Sequence, residues 1–342
     1  MAEPGSRPDL RPARPPAAAR WTDLLLLVAI NFMWALKWTL SKAALREIEP
    51  VSITLFPMMG TLLLLVPLMR QRLKGQPAYL GIIRREALLP ANLFRFLLLG
   101  AAGQAATQVF TGWGLKYMPA TDAAFISLGA PILNAVLAVV MLGEAFSWRL
   151  LPGFTLAVAG VLLMTGVDLR SGQVSNWWYL LGALLILAAK LGGAFYNAYS
   201  KKLLGVFRPA EILFYSYIAV VVCLYPLHLF LEQPLSLHRI AGLHWQTWCS
   251  LALLSVLVYG LSMVLFLEVL TRRSLAPVSV SIYLMTVFGA LISTTTLGEP
   301  VTSNMILGAL LVLFSSIFAN SGKAAVSQGA EPTDPARQPG TR

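Results

Sequence analysis

Read along its length, the chain alternates long apolar runs with short polar connections. Hydrophobic blocks occupy roughly 22–44, 51–69, 92–115, 119–142, 150–168, 177–200, 209–231, 246–270, 275–297 and 301–320. Each has about the length that a helix needs to cross the hydrocarbon core, since ~20 residues at ~1.5 Å rise cover ~30 Å. A helix satisfies its own backbone groups in lipid, and runs this long do not resemble barrel strands. The pattern therefore predicts an all-α membrane protein with ten transmembrane helices. Pro57, Pro131 and Pro226 fall inside blocks and predict kinks supported by neighbouring helices.

Composition agrees. Hydrophobic residues make up 57% of the 342, and 12% are charged, with a mean hydropathy of +0.70. That charged share is about half of what coats a soluble domain. A soluble enzyme, a nucleic-acid-binding module and a disordered chain are excluded. Residues 1–21 are proline- and arginine-rich and read as a disordered basic tail, and 321–342 as a second tail. The first apolar block is too long for a signal-peptide core and carries Lys37, so it is expected to stay as a span. Cys223 and Cys249 lie in apolar blocks, and the histidines show no metal-ligand spacing. No metal or cofactor is expected, and no nucleic-acid partner.

The net charge of +11 is a topology signal. With the N-terminus in the cytoplasm, eighteen lysines and arginines fall on that side and five on the other, leaving Lys37, Arg95 and Lys190 within spans. The excess of basic residues on one side predicts that both termini are cytoplasmic.

The chain also repeats itself. A shift of 159 places Ala35, Ser41, Lys42, Leu45, Pro50, Pro67 and Leu68 on Ala194, Ser200, Lys201, Leu204, Pro209, Pro226 and Leu227. Nearer the end of each half the shift is 155, and Leu115, Leu142, Gly143, Glu144 and Gly153 meet Leu270, Leu297, Gly298, Glu299 and Gly308. The paired prolines and the Leu-Gly-Glu tripeptides are hard to obtain by chance. The halves are 22–168 and 177–320, with five spans each. An odd number makes the second half enter from the opposite side, so the repeats are expected to be inverted, an arrangement suited to alternating access.

These segments resemble the drug/metabolite transporter superfamily, and within it the EamA-type ten-helix transporters. The resemblance covers nearly all of 22–320. It is clearest in Gly114–Gly160, with Thr121-Asp122-Ala123-Ala124 and Leu142-Gly143-Glu144, and in Leu270–Leu311, with Leu297-Gly298-Glu299-Pro300. It implies a secondary transporter of the bacterial inner membrane that exports a small organic metabolite. In the first helix, members often show Trp-Gly-x-Asn-Phe, and this chain has Trp34-Ala35-Leu36-Lys37-Trp38. A charged group replaces a neutral amide. The arginine often found in the family's second helix is missing around Pro57 and Met58.

An ionisable residue inside a span is costly unless it reaches a partner, water or the interface. Lys190 lies near mid-helix and Lys37 on the leading helix of the other half. Both are expected in a central cavity, where they favour an anionic or zwitterionic cargo. Trp34 and Trp38 share a helix face, as do Gln104 and Gln108, and Asn134, Tyr196, Asn197 and Tyr283 add polar tips suited to a small solute. Glu268 is the coupling candidate, with Arg272 one turn on as its expected partner. Asp122 is expected to cap its helix, and Glu144 and Glu299 to be helix-end residues. No Gly-rich phosphate loop is present, so a proton or an exchanged solute, rather than ATP, is the expected energy source. An exchanger of phosphorylated metabolites or nucleotide sugars is a second reading. An integral-membrane enzyme or scaffold is a third, for which no convergent catalytic constellation exists. The oligomeric state is not encoded in any feature of the sequence.

Overall fold

The computed structural model describes residues 17–329 apart from 76, 144–147, 149, 165–166, 169–172, 175–176, 233–241, 274–280 and 300. The described residues form ten helices in chain order: α1 (Ala17–Ala44), α2 (Ser52–Arg72), α3 (Pro90–Tyr117), α4 (Ala120–Leu142), α5 (Leu150–Met164), α6 (Trp177–Leu203), α7 (Pro209–Leu231), α8 (Trp245–Arg272), α9 (Ile282–Leu297) and α10 (Ser303–Gly329). Seven of them, α1–α4 and α6–α8, are long and apolar enough to cross a membrane. The apolar stretches of α5, α9 and α10 are shorter among the described residues. Outside the helices, Ala78–Tyr79 pairs with Ile83–Arg84 and Val167–Asp168 with Gln173–Val174, two small ladders that the apolar pattern does not predict.

At both ends of the chain, helix extends into segments that the composition assigns to tails. The alanine-rich starts of α1 and ends of α10 have the intrinsic preference to continue helical hydrogen bonding past the apolar core. The remainder of both tails lies outside the described residues.

Helix α3 widens into π-type turns over Leu99–Ala105, and α8 does so over Leu254–Leu261, the same place under the 155 shift. Such turns insert a residue and free carbonyls that need other donors. Neighbours supply them in α8. Thr61 of α2 donates to the Ser255 carbonyl at 2.8 Å, and Tyr217 of α7 to the Tyr259 carbonyl at 2.9 Å.

Packing follows small residues and shared ends. α2 lies along α7, α5 along α10, α1 against α8 and α9, and α6 against α3 and α4. In the α5–α10 contact a Cβ at Gly160 would sit 2.7 Å from the Gly308 carbonyl oxygen, so only glycine permits that approach. Contacts at the helix ends fix directions. Asp23, early in α1, meets Arg272 at 3.4 Å and Arg273 at 2.7 Å at the end of α8. Glu47, just past α1, accepts from Thr247 at the start of α8 at 2.5 Å. These two helices therefore run antiparallel. Lys201 closes α6 by donating to the Leu270 and Arg273 carbonyls at the end of α8, so α6 runs with α8 and against α1. Lys42 treats the end of α3 in the same way, donating to the Leu115 and Met118 carbonyls.

Carboxylates cap helices from a distance. α2 has no side-chain cap of its own, and Glu232, at the end of α7, accepts from the Val51 and Ser52 amides at 2.6 and 2.9 Å. α4 likewise lacks a side-chain cap. Glu299, past the end of α9, accepts from the Ala120 and Thr121 amides at 2.9 and 2.8 Å. The expected capping role of Asp122 is thus corrected. Its carboxylate instead accepts from the Tyr179 hydroxyl on α6, and the donors it was expected to satisfy go to Glu299.

Candidate functional site

Helices α1, α3, α4, α6, α8 and α9 line a central cavity of about 130 Å³. Helical spacing explains why the same few positions recur on its wall. Trp34, Lys37 and Trp38 occupy one face of α1, and Lys190, Gly193, Ala194 and Asn197 one face of α6. The π-type turns then adjust the phase of α3 and α8, which present Gln104, Thr107 and Gln108, and Val258, Tyr259 and Met263. α4 contributes Asn134, and α9 contributes Ile282 and Met285.

Trp38 organises the charged side of the cavity. Its side chain is 1% exposed, and the Lys190 and Lys37 nitrogens stand 4.5 and 5.7 Å from its ring centroid. Among the described residues neither ammonium donates to a protein oxygen or forms an ion pair. The indole face is a weak partner, since a cation–π contact contributes ~0.5–2 kcal/mol, whereas removing one ammonium from water costs several kcal/mol. The described residues leave that deficit open, to be met by solvent or a solute.

The amide groups of the wall are largely paired with each other. Gln108 donates to Gln104 at 3.1 Å, the Tyr259 hydroxyl to Gln108 at 3.4 Å, and Asn197 to Asn134 at 3.2 Å. Such pairing holds the amides in fixed orientations and leaves the Asn134 amide nitrogen available as a donor. Thr107, which no sequence pattern singled out, donates to the Ala189 carbonyl at 3.1 Å and so joins α3 to α6 beside Lys190. Its position three residues after Gln104 is the signal that could have found it.

The structure thus gathers Lys37, Lys190, Trp34, Trp38, Gln104, Gln108, Asn134, Tyr196 and Asn197 around one space. Tyr283 sits on α9 between Ile282 and Met285, and its side chain lies outside the described residues. Glu268 does not line the cavity. Nor does it pair with Arg272, whose guanidinium meets the buried Asp23 instead. A buried carboxylate near the end of α8 is a stronger attractor than a partly exposed one on the same helix. Among the described residues no cluster of His, Cys, Asp or Glu could hold a metal ion.

A family profile matches this chain twice, over residues 21–166 and again over 180–321, and its description is EamA-like transporter family. The chain belongs to the EamA-like transporter family. It is an integral membrane protein, and its activity is transport rather than catalysis. A probable amino-acid metabolite efflux pump of Escherichia coli is 26% identical over 90% of this chain and 99% of its own length. A probable terminal-alkyne amino-acid exporter of Streptantibioticus cattleyicolor is 27% identical over 64% of this chain and 69% of its own. An S-adenosylmethionine/S-adenosylhomocysteine transporter of Chlamydia trachomatis is 30% identical over 48% of each chain. Among solved structures, one crystal structure superposes with a TM-score of 0.62 at 15% identity, covering 90% of this chain and 99% of that one. That likeness extends to the fold alone. Family membership accounts for the doubled motifs and fixes the broad activity.

Proposed function

We propose that this chain is a secondary active exporter of a small organic metabolite, anionic or zwitterionic, in a bacterial inner membrane. Its halves, 22–168 and 177–320, act as inverted five-helix repeats, with both termini in the cytoplasm. The opposed directions of α1 and α6, the matching π-type turns and the matching Lys42 and Lys201 contacts support that arrangement. A site between such halves faces either side of the membrane as they rock, driven by a proton or an exchanged solute. The exporters and efflux pump among the relatives support export as the direction.

One observation carries the reading: among the described residues, two ammonium groups with no oxygen partner line the same cavity beside Trp38. Substrate-bearing sites in such proteins place polar groups where lipid-facing helices cannot tolerate them. The test is flux in proteoliposomes across amino acids and organic acids. Lys37→Ala with Lys190→Ala is expected to abolish saturable flux while leaving the melting temperature near that of the parent. Unchanged affinity and rate in the double variant would remove the cavity as the binding site.

A further inference from the structure

We infer that the cargo is an organic dianion, whose two negative charges are matched by Lys37 of α1 and Lys190 of α6, both beside the Trp38 ring. The inference rests on the transport reading and sharpens its substrate class.

The charge inventory of the cavity is one-sided. Among the described residues that line it there are two lysines and no carboxylate. The acids at the helix ends are committed elsewhere. Asp122 accepts from Tyr179, Glu299 from the start of α4, Glu232 from the start of α2 and Asp23 from two arginines. Glu211 accepts from the Arg208 amide and faces Arg84 at 3.7 Å. None supplies a counter-charge to the cavity.

The hydrogen-bonding inventory points the same way. The acceptor oxygens of Gln104, Gln108 and Asn134 each receive a donor from within the protein. Among the described lining residues, what remains is two ammonium groups and the Asn134 amide nitrogen as donors, and the Tyr196 hydroxyl, buried with no partner, which can donate or accept. A ligand complementary to this wall is an acceptor at several points. A monoanion would leave one ammonium unmatched. A zwitterion would bring a third cation to a wall that, among the described residues, offers it no carboxylate. Two negative charges, on two carboxylates or on one phosphomonoester, close the account without adding a donor.

The experiment uses the full-length protein in proteoliposomes and pairs of solutes matched in size but differing by one charge. Succinate is compared with succinamate, and glycerol 3-phosphate with its methyl phosphodiester, with norvaline as the zwitterion. At least one dianion is expected to exceed its own monoanion at least tenfold in kcat/KM, and the pair that does so tells dicarboxylate from phosphomonoester. Lys190→Gln and Lys37→Gln should each shrink that ratio severalfold toward parity, and Lys190→Arg should retain it. Equal flux of both members of both pairs, a preference for norvaline, or a ratio unchanged in both glutamine variants would overturn the inference while the transporter reading stands. Absence of saturable flux for every charge class would count against both.

Discussion

The tripeptide that ends α9 makes a prediction that can be worked through in numbers. Gly298, with φ of +67°, turns the chain in the left-handed region and so lets Glu299 leave the helix axis. Its carboxylate accepts from the Ala120 amide at 2.9 Å and from the Thr121 amide and hydroxyl, both at 2.8 Å. Ala120 and Thr121 are both fully buried, so water cannot replace the lost acceptor. Glu299→Ala therefore removes a cap and strands two backbone donors. Unsatisfied donors cost ~1–3 kcal/mol each, and the lost charge at a helix start adds ~0.3–1 kcal/mol. Because the effects overlap, a total of ~3–5 kcal/mol is expected, which at this chain length lowers the melting temperature by about 4–7 °C. Glu299→Gln keeps one acceptor oxygen and should fall between parent and alanine variant. Thermal unfolding in detergent, followed by intrinsic fluorescence, reads the order directly. An alanine variant that melts with the parent would refute the claim that Glu299 holds α4 in place.

The other expectations concern the same framework. Glu232→Ala should destabilise by ~3–5 kcal/mol, because the carboxylate is buried and the Val51 and Ser52 amides and the Ser52 hydroxyl all depend on it; a denaturant or thermal midpoint equal to the parent's would contradict this. Gly160→Ala should cost ~1–3 kcal/mol through overlap with the Gly308 carbonyl of α10, read as a lower melting temperature. In the connection between α1 and α2, donation from the Thr247 hydroxyl and then from His244 holds the Glu47 carboxyl below the usual carboxylate range. Its folded value is the lower one, so its contribution is present above the unfolded value and is lost as pH falls through the folded one. Melting temperatures measured from about pH 6 to about pH 3 should therefore decline less steeply for Glu47→Gln than for the parent; parallel profiles would exclude this contact as a source of acid sensitivity.

Much of the architecture was legible because lipid imposes a simple rule on sequence. Every helix from α1 to α10 grows out of an apolar block, and α7 has the bounds that the blocks predict, since Pro209 opens it and the polar Glu232 follows its last turn. The doubled motifs were legible for a related reason. Gly143 and Gly298 both take positive φ, a geometry that other residues resist, so selection for it leaves a mark that leucine-rich background cannot imitate. The π-type turns left no such mark, because any apolar helix can widen when a neighbour such as Tyr217 offers a hydroxyl to the freed carbonyl. Glu232 and Asp23 were illegible in a different way. A carboxylate near a helix end reads as solvated until tertiary contacts bring it against the donors of another helix.

The strongest objection to a substrate role for Lys37 and Lys190 is that lysines buried between helices can be purely structural. This chain contains the comparison needed to judge it. Lys42 and Lys201 are structural lysines, and each spends its ammonium on two carbonyls at the end of a neighbouring helix. That solution is open wherever a helix terminates, because the last turn carries free carbonyls. Lys37 and Lys190 sit away from helix ends, and both stand over the Trp38 ring, with no carbonyl accepting from either among the described residues. A lysine needed only for packing would be less costly as methionine or leucine at such a position, since both fill a comparable volume without a charge to desolvate. Replacing Lys37 and Lys190 together by methionine should accordingly raise the melting temperature while abolishing flux. A double variant that is less stable than the parent would mean that the two ammonium groups hold the fold together, and the case for a charge-reading cavity would fall with it.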